Sequence, residues 1–271
     1  MTMSPILHLR RFRWRSRSPS RFPRPCAPIV SYPMKFIVHP MIFSHARAVF
    51  AALACWLVGQ ILPAAEEREA GFMSLFNGKD LTGWDGMPGA WRVKDGAICS
   101  GGTTKNWLIW RGGEVDDFEL RLRFRYTKGN SGVQVRSEDK GKWQVHGYQV
   151  EVAAKSAMGL WHESLWTEQE RRFLSTAGQK VRIAPDGTRN VEQVADPATV
   201  QSAFKENDWN DLVVIGTGSR LVQIINGVVF SDLIDQDRTR SRISGVIAFQ
   251  DHGGGCVAEF KDIRLKRIPP K

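Results

Sequence analysis

Residues 117–126 read DFELRLRFRY, and they are the clearest indication of secondary structure in the chain. From Phe118 to Tyr126 every second residue is apolar, and the residues between them are Glu or Arg. Because side chains alternate between the two faces of a β-strand, this pattern predicts a strand with one buried face and one solvated face.

Two tight hairpins are predicted outward from this strand. Asp95-Gly96 and Asn226-Gly227 are the dipeptides that favour two-residue β-turns. The segments that flank them are Trp91–Val93 with Ala97–Cys99, and Leu221–Ile225 with Val228–Phe230. Helical periodicity is scarce, and only residues 197–205 could hold one or two turns. Many short strands separated by turn signals predict an all-β protein, a jelly-roll sandwich of two antiparallel sheets.

Residues 1–65 are predicted to be a leader and residues 66–271 a single domain. The run AVFAALACWLVGQIL at 48–62 follows basic residues and precedes Pro63-Ala64-Ala65, which is the order of a secretory signal peptide. Met34 would begin a signal of ordinary length and is the expected start. The alternative is an uncleaved anchor, although the run is short for a membrane span. We expect export to the periplasm or the extracellular space, with no stable membrane insertion after cleavage.

The net charge of +10 belongs to the leader. Of the 38 Lys and Arg residues, nine lie in residues 1–65, which contain no Asp or Glu. The domain therefore has 29 basic and 28 acidic residues, and its charge gives no reason to expect nucleic acid as a partner. In an oxidising compartment its two cysteines, Cys99 and Cys256, could form a disulfide, but two buried free thiols are an equally ordinary arrangement.

Polar residues alternate with apolar ones on three further predicted strands. If the apolar residues face the core, Gln149 with Glu151 and Gln134 with Arg136 each share the opposite face of their strand. The third pair, Gln250 with His252, shares a face with Val246 and Ala248. A single pair of this kind usually marks a solvated outer face. Three pairs that include Arg, Glu and His favour a ligand site on the concave face of a bent sheet.

A second cluster is Gly159-Leu160-Trp161-His162-Glu163, followed by Arg171-Arg172-Phe173. It neither alternates nor shows helical periodicity, so we expect a loop. Such a loop could form the wall of a polar pocket, or it could be a charged surface loop anchored by Trp161. The domain has eight tryptophans, which is compatible with stacking on sugar rings, although most are expected to pack in the core or at turns.

The sequence resembles the 3-keto-disaccharide hydrolase domain family over about residues 71–268. The resemblance begins at Leu75–Trp84 (LFNGKDLTGW) and ends at Phe260–Arg264 (FKDIR). Between them it passes through Asp117–Leu120, Asn130–Val133, Gly147–Glu151, Asp208–Asn210, Asn226-Gly227 and Gln250–His252. It implies a concanavalin A-like jelly roll and a hydrolase, or a lyase whose elimination is followed by hydration, that acts on 3-keto-disaccharides or other glycosides oxidised at C3. By position, the family's polar pocket would fall on Arg136, Gln149, Glu151, Glu163, Gln250 and His252.

Cleavage of a 3-keto-glycoside needs a base for the C2 proton, which the ketone acidifies, and hydrogen-bond donors for the enolate oxygen that results. It also needs an acid that protonates the leaving oxygen. The expected catalytic residues are Glu151 or His252 as the base and Glu163 as the acid. The expected substrate-binding residues are Arg136, Gln149, Gln250, Trp161 and His162.

Two other functions stay open at the level of sequence. A non-catalytic, lectin-like carbohydrate-binding module would need the tryptophans and could dispense with Glu151 and His252. An ordinary glycosidase with paired carboxylates is disfavoured because no spacing singles out a pair. The sequence requires no cofactor; a divalent metal held by Glu and His is compatible with it, but no ligand spacing supports one. The expected partner is a carbohydrate substrate.

Overall fold

The alternating segment forms the central strand of a two-sheet sandwich. The computed structural model describes residues 70–163 and 173–269. In chain order the strands are β1 (Met73–Ser74), β2 (Trp84–Asp85), β3 (Trp91–Lys94), β4 (Ala97–Ser100), β5 (Asn106–Trp110), β6 (Phe118–Lys128), β7 (Ser131–Gly141), β8 (Gln144–Val152), β9 (Gly159–Glu163), β10 (Phe173–Thr176), β11 (Gln179–Ile183), β12 (Arg189–Gln193), β13 (Asn210–Thr217), β14 (Arg220–Ile225), β15 (Val228–Asp235), β16 (Val246–Asp251) and β17 (Val257–Arg267).

Within the described residues these strands form two sheets. The ten-stranded sheet has the order β12-β11-β15-β14-β13-β6-β17-β4-β3, with β1 added beside β17. The seven-stranded sheet has the order β10-β9-β8-β7-β16-β5-β2. Neighbouring strands are antiparallel except for β11 and β15, which pair in parallel. The all-β, two-sheet prediction is confirmed.

The core lies between the two sheets and is built by alternation. On β6 the side chains of Phe118, Leu120, Leu122 and Phe124 are buried, whereas the intervening Glu and Arg residues point away from the core. On the facing sheet, Val133, Val150 and Leu160 belong to the same hydrophobic cluster. The period-two pattern in the sequence therefore assigns the core face of these strands correctly.

Both predicted hairpin turns form. Asp95 and Gly96 have φ angles of 50° and 73°, and Asn226 and Gly227 have φ angles of 49° and 81°. Two successive residues with positive φ make a turn whose twist matches that of the flanking strands, and Asp, Asn and Gly tolerate this conformation best. The segment predicted to be helical holds one short helix, α1 (Pro197–Gln201), which Asp196 caps by accepting a hydrogen bond from the Thr199 amide.

The loop predicted for residues 159–173 is wrong at both of its ends. Gly159–Glu163 forms β9 and pairs with β8, and Phe173 begins β10. Because β9 carries bulky side chains on both faces, it lacks the apolar–polar alternation by which a half-buried strand is recognised. A turn of 3-10 helix (Lys155–Ala157) precedes β9. Residues 164–172, with the two arginines of the predicted loop, lie outside the described residues.

The predicted leader, the signal peptide and Met34 also lie outside the described residues. Within residues 70–163 and 173–269, no helix has the length and apolar character that a membrane crossing needs. Cys99 and Cys256 are both buried and both free. They sit on opposite sides of the ten-stranded sheet: Cys99 lies beside Glu259, whereas Cys256 lies beside Ser100, the next residue along β4. Their side chains are directed away from each other.

Candidate active site

The outer face of the seven-stranded sheet carries a row of buried polar side chains. In the strand register Gln134 lies opposite Gln149, and Gly132 lies between Glu151 on one neighbouring strand and Gln250 on the other. The four side chains are at most 1% exposed. Since cross-strand partners share a face, β7, β8 and β16 bring three of the predicted site residues, Gln149, Glu151 and Gln250, into one group.

Hydrogen bonds join this group into a chain. Gln149 Nε2 donates to Glu151 Oε2 at 2.8 Å, and it also lies 3.4 Å from Gln250 Oε1. Gln134 Nε2 donates to Gln149 Oε1 at 2.7 Å. The other carboxylate oxygen of Glu151 accepts a hydrogen bond from Asn130 Nδ2. We call these five residues the amide network.

Gly132 makes room for the centre of the amide network. A Cβ atom at Gly132 would lie 2.5 Å from Gln149 Cγ and 2.7 Å from Gln149 Nε2. Such distances are far inside van der Waals contact, so any side chain at position 132 would displace Gln149. The absence of a side chain therefore allows Gln149 to reach across β7 towards Gln250.

Two buried donors on this face have no protein acceptor. Gln250 and Trp107 are cross-strand partners on β16 and β5, and they are 0% and 1% exposed. Among the residues that the structure describes, neither Gln250 Nε2 nor Trp107 Nε1 has a hydrogen-bond partner. A buried N–H without an acceptor costs free energy, about 1–3 kcal/mol, so each such atom requires an explanation.

One end of the face is covered by the tip of the β7–β8 hairpin. Val145 packs with Trp107, Ile109 and Ala248 in a small hydrophobic cluster separate from the main core. The amide of Trp107 donates to the carbonyl of Trp143 at 3.0 Å, so the hairpin tip at residues 141–144 reaches β5. We call residues 141–144 the arm.

Ionic contacts hold the arm in place. Arg111 donates to Asp85 at 2.6 Å and to Asp139 at 2.6 Å, and Trp143 Nε1 donates to Asp85 at 2.9 Å. The hydrogen bonds from Trp143 and Arg111 hold the pKa of Asp85 below its usual value. Burial alone would raise the pKa of Asp139, but the hydrogen bonds from Arg111 and the amide of Gly141 outweigh it and lower that pKa.

The predicted residues of β9 divide between the two faces. Trp161 is the register partner of Gln149 and so shares the face of the amide network. Its ring is half-buried and lies 4.1 Å from the ring of Phe173. His162 pairs with Tyr148 and makes an edge contact with that core tyrosine, at 5.7 Å between ring centroids. Glu163 is opposite Gly147 in the register, and its side chain lies outside the described part of the chain.

His252 follows the last residue of β16 and is exposed. The preceding Asp251 is fully buried, and its carboxylate accepts hydrogen bonds from the amides of Gly101, Gly102 and Gly253 at 2.6–3.0 Å. Asp251 thus fixes the turn in which His252 lies. No contact joins His252 to the amide network among the described residues, so it lies at the rim of the face.

Arg136 does not join the site. A bulge interrupts the β7–β8 pairing after Val135, and Arg136 has a φ of 49°. Its guanidinium turns towards the ten-stranded sheet, where it donates to the carbonyls of Asp116 and Gly218 and to the carboxylate of Asp117. Burial lowers its pKa. The prediction that Arg136 shares a face with Gln134 is wrong because the bulge breaks the alternation on which it rested.

Sequence reasoning missed Asn130 and Trp107 as members of this face. Asn130 precedes β7, where no alternation applies, and its only signal is the Asn-Ser-Gly motif of the resemblance. Trp107 lies on β5, whose five residues are all buried, so no alternation marks which residues face outwards. For a metal, no group of three or more His, Cys, Asp or Glu is arranged to hold an ion within residues 70–163 and 173–269.

Comparisons with solved structures find remote similarities. A protein of Parabacteroides distasonis ATCC 8503, provisionally assigned as a glycosyl hydrolase, is 18% identical, with a TM-score of 0.49 over 73% of this chain and 94% of that one. The carbohydrate-binding module CBM66 of Bacillus subtilis is 15% identical, with a TM-score of 0.46 over 68% and 95%. A Bacillus subtilis protein of unknown function with a galectin-like fold is 9% identical, with a TM-score of 0.46 over 70% and 92%.

A search of the curated proteins finds no match to the chain. The model of one protein family, the 3-keto-alpha-glucoside-1,2-lyase-like domain, matches residues 71–266. The match spans most of the chain and covers every strand of both sheets except the last residue of β17. The domain is therefore carbohydrate-active, and the chain belongs to the 3-keto-alpha-glucoside-1,2-lyase-like domain family.

Proposed function

We propose that the domain cleaves 3-keto-disaccharides or other 3-keto-glycosides on the outer face of the seven-stranded sheet. The observation that carries the proposal is the buried carboxylate of Glu151, which accepts hydrogen bonds from Gln149 and Asn130. The same face presents two N–H groups that have no acceptor among the described residues. The family match supports the substrate class.

The reaction begins with removal of the proton on C2, which the neighbouring C3 ketone acidifies. The C2–H electrons form an enolate with C3. When the ketone re-forms, those electrons make the C1=C2 double bond, the C1–O bond breaks, and the departing oxygen takes a proton. Addition of water across the double bond would complete a hydrolysis; without that step the reaction is that of a lyase.

Glu151 is the proposed base. Hydrogen bonds from Gln149 and Asn130 fix the orientation of its carboxyl group. His252, exposed at the rim, is the alternative base, and Glu163 is the proposed acid for the departing oxygen. Arg136 has no part in this scheme, because its guanidinium is engaged between the two sheets.

The test is incubation of the purified protein with a 3-keto-disaccharide and, separately, with the same unoxidised disaccharide. The reaction is monitored by NMR, in the presence and in the absence of EDTA. Under both conditions we expect cleavage of the oxidised sugar and no cleavage of the unoxidised one. In the variant Glu151→Gln, turnover should fall by about 10²–10⁴-fold, which is typical for loss of a general acid or base. Val150→Ala is the matched control: it lies on the core face of the same strand and should lower stability by about 1–3 kcal/mol with little change in rate per folded molecule.

The second candidate is a non-catalytic carbohydrate-binding module. It is favoured by the half-buried ring of Trp161 beside Phe173, an aromatic surface on which a sugar could stack. In that case the wild-type protein would bind disaccharides without cleaving them. Trp161→Ala would then abolish binding, whereas Glu151→Gln would retain it.

Export is part of the proposal. The acid-free leader and Pro63-Ala64-Ala65 predict cleavage before Glu66. Mass spectrometry of the natively produced protein should find an amino terminus near Glu66. An intact Met1 or Met34 terminus would contradict export by a cleaved signal peptide.

A further inference from the structure

The two carboxyl oxygens of Glu151 accept hydrogen bonds and thereby set the direction of the amides in the network. A carboxylate accepts hydrogen bonds and cannot donate them, so Gln149 must present its amino group to Glu151. The carbonyl of Gln149 then points to Gln134, which must donate with its own amino group, at 2.7 Å. The carbonyl of Gln134 in turn accepts a hydrogen bond from Ser137 Oγ at 2.5 Å.

The same constraint sets the orientation of Gln250. The amino group of Gln149 lies beside Gln250, so Gln250 presents its carbonyl oxygen to it, at 3.4 Å. Its amino group then points in the other direction from the amide carbon, away from Gln149. That group is the buried Nε2 atom that has no acceptor among the described residues.

The neighbouring strand supplies a second donor of the same character. Trp107 is the cross-strand partner of Gln250, and its indole N–H is also buried without an acceptor in the described part of the chain. An indole nitrogen can donate and cannot accept. The two groups therefore present hydrogen atoms and no lone pairs.

We propose that Trp107 Nε1 and Gln250 Nε2 form a donor pair that binds a carbonyl oxygen of the ligand, so that the site selects a keto sugar over the same sugar with a hydroxyl group. This inference rests on the proposed function, because it assumes that the sugar binds on this face. A carbonyl oxygen can accept a hydrogen bond from each of the two donors, and it has no O–H group that would need an acceptor. A hydroxyl group that accepts from both donors must also find an acceptor for its proton.

The amide oxygens nearest to the donor pair already have a donor within the network. The carbonyl oxygens of Gln134, Gln149 and Gln250 each receive or lie beside a donor within the protein. A buried donor left without an acceptor is costly, and sites built in this way discriminate strongly between closely similar ligands. The pair also lies where it could stabilise negative charge as the ketone becomes an enolate.

Two single-site variants remove one donor each. Trp107→Phe removes the N–H and keeps an aromatic ring. Gln250→Glu replaces the amino group with an oxygen and keeps the carbonyl that faces Gln149. Trp110→Phe is the matched control, since Trp110 lies on the same strand but belongs to the core between the sheets.

The experiment measures binding of 3-ketoglucose and of glucose to the purified protein by calorimetry, together with cleavage of a 3-keto-disaccharide. Wild type should bind the keto sugar at least tenfold more tightly than glucose. Each donor variant should lower this ratio by about 5–10-fold, the loss of one net hydrogen bond. Trp110→Phe should leave the ratio unchanged.

Equal binding of the two sugars by wild type would overturn the donor pair, as would folded donor variants that keep the wild-type ratio. If Trp107→Phe does not fold, Gln250→Glu decides the question by itself. If the wild-type protein cleaves 3-keto-disaccharides but the donor variants keep its affinity ratio for 3-ketoglucose over glucose, the donor pair is refuted and the proposed function is not. A wild type that neither binds nor cleaves keto sugars removes both.

Discussion

Arg136 Nη2 lies 3.1 Å from Asp117 Oδ1 and joins the seven-stranded sheet to the ten-stranded sheet. The same Asp117 oxygen accepts a hydrogen bond from the amide of Gly218 at 2.7 Å, while the carbonyl of Gly218 accepts from Arg136 Nη1 at 2.6 Å. The guanidinium is 1% exposed and lies 5.7 Å from the ring of Phe118. These contacts give Arg136 a role in holding the sheets together.

Replacing Arg136 should therefore affect stability more than chemistry. Arg136→Ala leaves the carbonyls of Asp116 and Gly218 without their side-chain donor and removes the ion pair to Asp117. We expect a loss of roughly 3 kcal/mol in the free energy of unfolding. Urea denaturation measures the stability, and turnover is normalised to the folded fraction. A variant of wild-type stability that has lost all turnover would instead place Arg136 in the reaction.

Gly132→Ala should disable the amide network. The added methyl group would collide with Gln149, displace it from Glu151 and lower turnover by about tenfold or more. Turnover of a 3-keto-disaccharide and thermal melting are the measurements.

The double variant Gly132→Ala with Gln149→Ala separates the two effects of that collision. Removing the side chain of Gln149 relieves the clash, so the double variant should regain stability relative to Gly132→Ala while its turnover stays low. Such non-additivity is expected for residues in direct contact. Additive losses of stability would show that Gly132 does not act through Gln149.

The stability that Asp85 and Asp139 contribute by holding the arm should be lost in acid. Because the folded-state pKa values of Asp85 and Asp139 are depressed, their contribution is present above the unfolded-state pKa of about 3.9 and is lost as pH falls through the lower folded-state values. Melting temperature should thus fall below about pH 4. In Asp85→Asn the fall should be shallower, since one titrating group is gone. An identical pH profile in the variant would contradict a role for Asp85 in holding the arm.

Cys99 and Cys256 should stay reduced in an oxidising medium. Cys99 and Cys256 are directed to opposite sides of the sheet, and burial raises the pKa of both thiols, which disfavours the reactive thiolate. Mass spectrometry after alkylation of the unfolded, unreduced protein should find two modified cysteines. Recovery of an unalkylated pair would show a disulfide.

Local patterns in the sequence were sufficient for much of the fold. Alternation from Phe118 to Tyr126 identified β6 and its buried face, and Asp95-Gly96 and Asn226-Gly227 identified two hairpins. These signals depend on residues that are neighbours in the chain. Where both faces of a strand are buried or bulky, as in β5 and β9, alternation is lost, so Trp107 was missed as part of the face and β9 was expected to be a loop.

Sequence patterns alone were enough to predict the all-β class, the core face of the regular strands and the grouping of Gln149 with Glu151. Which strands lie side by side, and hence that Gln250 and Trp107 join that group, is known only from the folded structure. The folded structure also shows that a bulge turns Arg136 towards the other sheet. Strand alternation is a local property of the backbone, whereas register, bulges and buried hydrogen bonds depend on contacts between strands that are separate in the chain.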